Sequence, residues 1–286
     1  LLKNFESNEI QVSGLIVADY STEHNHWNSK ISLGEWLKEN NIPAITGIDT
    51  RALTKKLREN GVMLGKIVVG SDVPFSDPNK RNLVAEVSVK EKMIYRAGNK
   101  KVLLVDCGAK NNIIRSFINR GVTVIRVPWN YDFTNETYDG LFISNGPGDP
   151  KQCIATIKHL QTALQQNKPI FGICLGHQLL ALAAGADTYK LKYGHRGQNQ
   201  PCIESGSKKC VITSQNHGYA VDETTLSKEW ESLYRNANDN TNEGLQHKTK
   251  PFFSIQFHPE ANPGPTDSEF LFDKFIEMVK KTKYKA

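Results

Sequence analysis

The sequence lacks paired cysteines, a membrane-spanning run and a nucleic-acid-binding face, and each absence removes a class of function. Five cysteines (Cys107, Cys153, Cys174, Cys202, Cys210) are an odd number with no CxxC spacing. That argues against a disulfide framework and against a structural metal site, and for a reducing compartment such as the cytoplasm. No run of about 18 apolar residues occurs, so no membrane partner is expected. The N-terminal residues read as no signal peptide, but Leu1 is not an initiator Met and the chain reads as an excised piece, so targeting information upstream stays open. Lys and Arg exceed Asp and Glu by 36 − 30 = 6, but the excess is scattered and partly sits in the tail KKTKYKA. Without a basic stripe interleaved with aromatics, a solvated surface is the better reading and nucleic acid is not expected. No internal repeat or low-complexity tract is found.

What is present is 286 residues of ordinary globular composition, 38% hydrophobic and 23% charged, enough for one large or two small domains. Residues 10–18 read as a strand. A capping box at Ser32–Glu35 opens a helix running to Asn40. Residues 50–60 are amphipathic, with Leu53 and Leu57 on one face and Gly61 as the stop. Residues 62–70 read as a further strand, 71–80 as a loop and 88–100 as a linker. The division expected is a small domain at 1–90, a linker at 91–100 and a larger domain at 101–286.

From residue 101 the rhythm is β-α-β. Strands are expected at 101–106, 122–127, 140–144, 169–173, 209–213 and 252–257. Helices are expected at 111–120, 152–166, 176–185 and 266–281. Continuous apolar runs such as KVLLVD suit strands buried on both faces. The fold class is therefore α/β: an open, mostly parallel sheet with helices on both faces, preceded by a smaller α/β domain. Ligands of such sheets bind beyond the carboxyl ends of the strands.

The most informative stretch is KPIFGICLGHQ, where an apolar strand runs into Gly172-Ile-Cys174-Leu-Gly176 and then a helix. A glycine on each side of a nucleophile at a strand-to-helix turn is elbow geometry. It lifts the thiol clear of the sheet and sets it at a helix N-terminus, which favours thiolate. The other four cysteines read as small buried hydrophobes.

FFSIQFHPE runs a strand into His258 and Glu260, two residues apart and so on one side of an extended chain. Glu260 can orient His258, and His258 can take the Cys174 proton and later protonate a leaving group. His24, His26, His159 and His247 read as surface residues and His177 as local packing. SNGPGDP follows another strand and offers the Gly146 N–H, with that of Leu175, as oxyanion donors. Gln178 lies one helical turn after Cys174 and faces the same pocket. SQNHGYAVD reads as a polar loop, either a surface turn or part of the pocket.

Together GICLGHQ, SNGPGDP and QFHPE resemble the class I (triad) glutamine amidotransferases. DTRALTKKLRENG, DCGAKNNIIR, QNHGYAVD, TNEG and PGPTDSEFLFDKF narrow the resemblance to the glutaminase region of carbamoyl-phosphate synthetase. RGQNQPC is most like the version fused into the eukaryotic pyrimidine multienzyme. The resemblance implies glutamine hydrolysis through a thioester on Cys174, with His258 and Glu260 completing the triad. It implies glutamine contacts at Gly146, Gly148, Leu175, Gln178, Asn216, Gly218 and Tyr219. It implies a synthetase partner, fused or separate, that receives ammonia through a tunnel and uses ATP, Mg and bicarbonate. No cofactor or metal is expected on this chain itself. A serine that helps the family hold glutamine has no counterpart here, so weak binding by the isolated chain is expected. The alternatives are a catalytically weak regulatory module of the same synthetase, or the amidotransferase of another synthase. Some ammonia-dependent relatives lack the cysteine; this chain has it.

Overall fold

A computed structural model describes residues 5–281. The chain divides into two compact units between Asp77 and Pro78. In the first unit, strands β1 (Leu15–Ile16) and β2 (Ala44–Ile45) pair in parallel, with helix α1 (Leu33–Glu39) between them and helix α2 (Thr50–Asn60) following. Both helices start as their sequences dictate. Ser32 Oγ accepts from Glu35 N–H and Glu35 accepts from Ser32 N–H, while Asp49 caps α2 by accepting from Ala52 N–H. Two expectations fail. The strand at 10–18 shrinks to the two residues of β1, and 62–70 forms no strand. An apolar run becomes a strand only when a neighbour accepts its ladder, and among the described residues none does; Val69 stays 83% exposed.

In the second unit, helix α3 (Leu83–Val87) and strand β3 (Met93–Tyr95) lead into strand β4 (Lys101–Asp106), helix α4 (Asn111–Asn119) and strand β5 (Thr123–Pro128). Strand β6 (Gly140–Ile143), helix α5 (Ile154–Ala163), strand β7 (Ile170–Ile173) and helix α6 (Leu175–Ala183) follow. Then come strands β8 (Asp187–Glu204), β9 (Cys210–Asp222), β10 (Trp230–Asn236), β11 (Asn242–His247) and β12 (Phe252–Ile255), and helix α7 (Phe270–Lys281). The sheet order is β3-β5-β4-β6-β7-β12-β11-β10-β8-β9. Strands β5, β4, β6, β7 and β12 form a parallel centre, and the remaining strands extend it antiparallel at both sides.

The parallel strands are buried on both faces, and their alternation sorts the core in two. Leu103, Val105, Leu141 and Ile143 pack one way; Val102, Leu104, Phe142 and Phe171 pack the other, against Phe272 and Phe275 of α7. Phe142, Phe171 and Phe253 sit side by side on β6, β7 and β12, with ring centroids 5.3 Å and 4.3 Å apart. Such cross-strand aromatic rows fix register. They thereby align the three strands whose ends carry the site.

The division at 1–90, 91–100 and 101–286 is displaced. Residues 78–90 belong with the larger unit, and Met93–Tyr95 of the expected linker forms an edge strand on β5, because its backbone completes the open ladder there. Residues 214–222, read as a loop, are part of β9, which pairs with β8 as a long antiparallel ribbon. Asn, Gly and His lower strand propensity, but the β8 backbone outweighs it.

Candidate active site

Three adjacent parallel strands deliver the candidate residues to one edge of the sheet. Strand β6 ends in Ser144–Pro150, β7 in Cys174 and β12 in His258. Cys174 has φ +54° and ψ −104°, a left-handed conformation that a side-chain-bearing residue rarely adopts. It caps α6 while its N–H donates to Ile255 O at 2.8 Å. The flanking glycines are demanded by backbone crowding. A Cβ on Gly172 would lie 2.5 Å from Gly176 O, and one on Gly176 would lie 2.2 Å from Ile143 O.

His258 Nδ1 shares a 2.7 Å hydrogen bond with Glu260 Oε1, and the Cys174 thiol lies close enough to the imidazole to favour its charged form. Since Nδ1 faces Glu260, Nε2 is the nitrogen left for sulfur. All three side chains are nearly closed off from solvent, Cys174 at 4%, His258 at 7% and Glu260 at 3% exposed. Burial by itself disfavours an imidazolium, but Glu260 and the thiol reverse that and raise the His258 pKa above its ordinary value. Burial likewise disfavours the Glu260 carboxylate, and His258 and Lys110 outweigh it, leaving that pKa lowered. The site is thus built to hold an imidazolium between a carboxylate and a sulfur.

Lys110 is a participant that sequence reasoning missed. Its Nζ lies 3.2 Å from Glu260 Oε1 and donates to Ala261 O. The loop that aims it is tied by Asp106, whose buried Oδ1 accepts from Gly108 N–H at 2.9 Å and Ala109 N–H at 2.7 Å. Asn112, on the same turn, donates to Glu260 O. The available signal was position: DCGAKNN follows β4, at the edge where the triad gathers.

The expected glutamine contacts lie around this centre. Gly146 abuts Leu175: a Cβ there would be 2.8 Å from Leu175 Cδ2 and 2.1 Å from Cys107 O. Leu175 opens α6, so its N–H has no partner within the helix. Gly148 has φ +88° and faces Leu83. Gln178 is 3% exposed, and its Nε2 donates to Tyr219 O and Gln256 Oε1, both at 2.9 Å. Gln178 therefore ties α6 to β9. Ser214 O accepts from His258 N–H at 2.9 Å. These two bonds anchor both ends of the 214–219 segment beside the triad, with Asn216 exposed and Gly218 and Tyr219 half-buried between and at its end.

Among the remaining histidines, His177 is fully buried, its Nδ1 2.9 Å from Ser254 Oγ, in keeping with a packing role. His159 and His247, read as surface residues, are half-buried, their rings against Phe133 and against Trp230 and Phe252. Cys210, read as buried, is exposed.

Residues 103–278 match the model of the class-I glutamine amidotransferases. The chain belongs to that family. Residues 2–67 of this amidotransferase match a second model, the CPSase domain of the carbamoyl-phosphate synthase small chain. The chain is 53% identical to the multifunctional protein CAD of Squalus acanthias, covering 99% of this chain and 13% of the relative. It is 52% identical to the mitochondrial carbamoyl-phosphate synthase [ammonia] of Homo sapiens, covering 99% of this chain and 19% of that protein. The amidotransferase thus spans less than a fifth of the length of these relatives. Among solved structures, PurLQS of Thermotoga maritima shares the fold over 63% of this chain and 99% of its own, with a TM-score of 0.52 at 13% identity. No helix among the described residues is long and apolar enough to cross a membrane.

Proposed function

We propose that this chain hydrolyses glutamine at Cys174 and passes the ammonia to a carbamoyl-phosphate synthetase, the nitrogen-supplying step of pyrimidine or arginine synthesis. What carries the reading is the Cys174 thiol at a strand-to-helix elbow beside the hydrogen-bonded pair of His258 and Glu260. The Cys174 thiolate attacks the carboxamide carbon of glutamine, and the C=O electron pair moves onto oxygen. The N–H groups of Leu175 and Gly146 receive that oxyanion. The C–N bond then breaks, the nitrogen takes its proton from His258, and ammonia leaves a glutamyl thioester on sulfur. Water, deprotonated by the now neutral His258, releases glutamate and restores the thiol. Glu260 keeps the imidazole oriented, and Lys110 holds Glu260.

Glutamine is held by Gly146, Gly148, Leu175, Gln178, Asn216, Gly218 and Tyr219, and the triad chemistry uses no cofactor. ATP, Mg and bicarbonate act at the synthetase, fused or separate; the name of the CAD relative favours fusion. Its free cysteines support a cytoplasmic location, which cell fractionation would test.

The deciding experiment uses the complete enzyme with Cys174→Ala. Carbamoyl phosphate formation from glutamine should vanish, while formation from a high concentration of ammonium salt should persist at the wild-type rate. Loss of both in a folded, assembled mutant, or of neither, would overturn the assignment.

A further inference from the structure

Away from the triad, the antiparallel wing brings His195 of β8, His217 of β9 and Glu243 of β11 together, with ligand-capable atoms within 4.8 Å of one another. Gln215 of β9 joins them. His195 Nδ1 is 2.9 Å from Gln215 Oε1 and 3.1 Å from Glu243 Oε1, and His217 Nε2 is 3.1 Å and 3.8 Å from the same two oxygens.

The outer hydrogen bonds decide which of these atoms carry protons. His195 Nε2 lies 2.8 Å from Asp239 Oδ2, a carboxylate oxygen that only accepts, so the proton sits on Nε2 and the lone pair on Nδ1. Asn236 Nδ2 approaches that Nδ1 at 3.4 Å as a donor, in agreement. His217 Nδ1 lies 2.8 Å from Tyr219 O, a carbonyl, so its lone pair is on Nε2. The Gln215 amide is oriented by Nε2 donating to Thr213 Oγ1 at 3.1 Å, a hydroxyl that itself donates to Gln200 O. Its Oε1 therefore faces inward. Glu243 Oε2 is buried without a partner.

Four acceptors thus converge on one point. One extra proton on His195 Nδ1 would serve Gln215 and Glu243 but leave the His217 lone pair against the same two oxygens. A cation at the centre satisfies all four. In a tetrahedral zinc site with bonds of about 2.0–2.1 Å, ligand atoms lie about 3.3 Å apart, and the four separations given above bracket that value. Metal-bound histidines also donate their second ring nitrogen to a carboxylate or carbonyl, as both do here.

We infer that His195, His217, Glu243 and Gln215 form a structural site for a divalent zinc-class cation. Two imidazoles with carboxylate and amide oxygens suit such an ion. The ligands were invisible in the sequence because no metal motif spaces them; the ribbon pairing and β11 assemble them. His217 lies between Asn216 and Gly218, so the ion would fix the strand segment proposed to hold glutamine. That consequence rests on the proposed function; metal binding does not.

The test purifies this chain with its synthetase partner in chelator-free buffer and measures bound metal. About one zinc per chain is expected. After stripping, Co(II) added alone should give the intense visible bands of a tetrahedral ion. Glu243→Gln and His195→Gln should each weaken Co(II) binding by about 100-fold or more, since even an outer partner of a metal ligand contributes 10- to 100-fold. Cys174→Ala should bind as wild type does, excluding the catalytic thiol as the ligand. Wild type that neither retains zinc nor gives the cobalt bands overturns the site, and this arm needs no variant to fold. If zinc is bound, stripping should raise KM for glutamine several-fold; an unchanged KM overturns the link to Asn216–Gly218.

Discussion

His258 Nδ1 and Glu260 Oε1 are 2.7 Å apart, both side chains buried, and this one bond sets the direction of proton flow in the site. With Nδ1 engaged, the imidazole meets sulfur through Nε2. His258→Asn should therefore lower glutaminase turnover by about 1,000-fold, because no group remains to protonate the leaving nitrogen. Glu260→Gln should cost less, since orientation is a smaller effect than proton transfer. Steady-state kinetics checks both, and equal rates for wild type and His258→Asn would refute the mechanism.

The same bond has a pH signature in stability. The folded His258 pKa is raised, so its contribution is fully present below the ordinary histidine value and is lost as pH rises through the raised one. Glu260 runs the other way: its folded pKa is lowered, so its contribution is present above the ordinary carboxylate value and lost as pH falls through the lowered one. The Tm difference between wild type and Glu260→Gln should accordingly be largest in the mildly acidic window between the ordinary carboxylate value of 4.5 and the ordinary histidine value of 6.5, and shrink on either side. A difference independent of pH would mean that the pair is not ionised.

Lys110 should act through Glu260. Lys110→Met removes one of the two cations that lower the Glu260 pKa, so the acid limb of the glutaminase pH profile should move to higher pH. Lys110→Arg should largely restore it. A profile superimposable on wild type would assign Lys110 a purely structural part.

Cysteine labelling should separate exposure from chemistry. Cys210 is exposed and should react with a small generic alkylator; Cys107, Cys153 and Cys202 are buried with pKa values pushed up, Cys153 to about 12, and should stay silent. A glutamine-shaped electrophile should instead label Cys174. Peptide mapping that finds that reagent on Cys210 alone would contradict the site.

Gly176→Ala should destabilise by about 2 kcal/mol or more, because the added Cβ meets a backbone carbonyl at 2.2 Å that cannot move without shifting β6. Gly206 and Gly185 have positive φ but open space, so alanine there probes backbone strain alone. Chemical denaturation of the three variants compares the two effects.

The local chemistry was legible without the fold. GICLGHQ dictates an elbow because only glycines fit beside the nucleophile; HPE sets base and orienter two residues apart, but the structure brings them together in a turn closed by Ala261 N–H donating to His258 O, not on the extended chain expected. The Ser32 capping box rests on bonds between near neighbours in sequence, and the β-α-β rhythm from residue 101 shows in the alternation of apolar runs and helical periodicity along the chain. Pairing was not legible, because a strand exists only where another accepts its backbone. Hence 62–70, apolar enough for a strand, forms none, while the polar 214–222 becomes β9 because β8 lies beside it. Strand order is a property of the whole sheet: setting β7 between β6 and β12 brings three distant motifs to one edge. Only that order could join Lys110 to Glu260, or His195 to His217 and Glu243, because burial and electrostatics act through space and not along the chain.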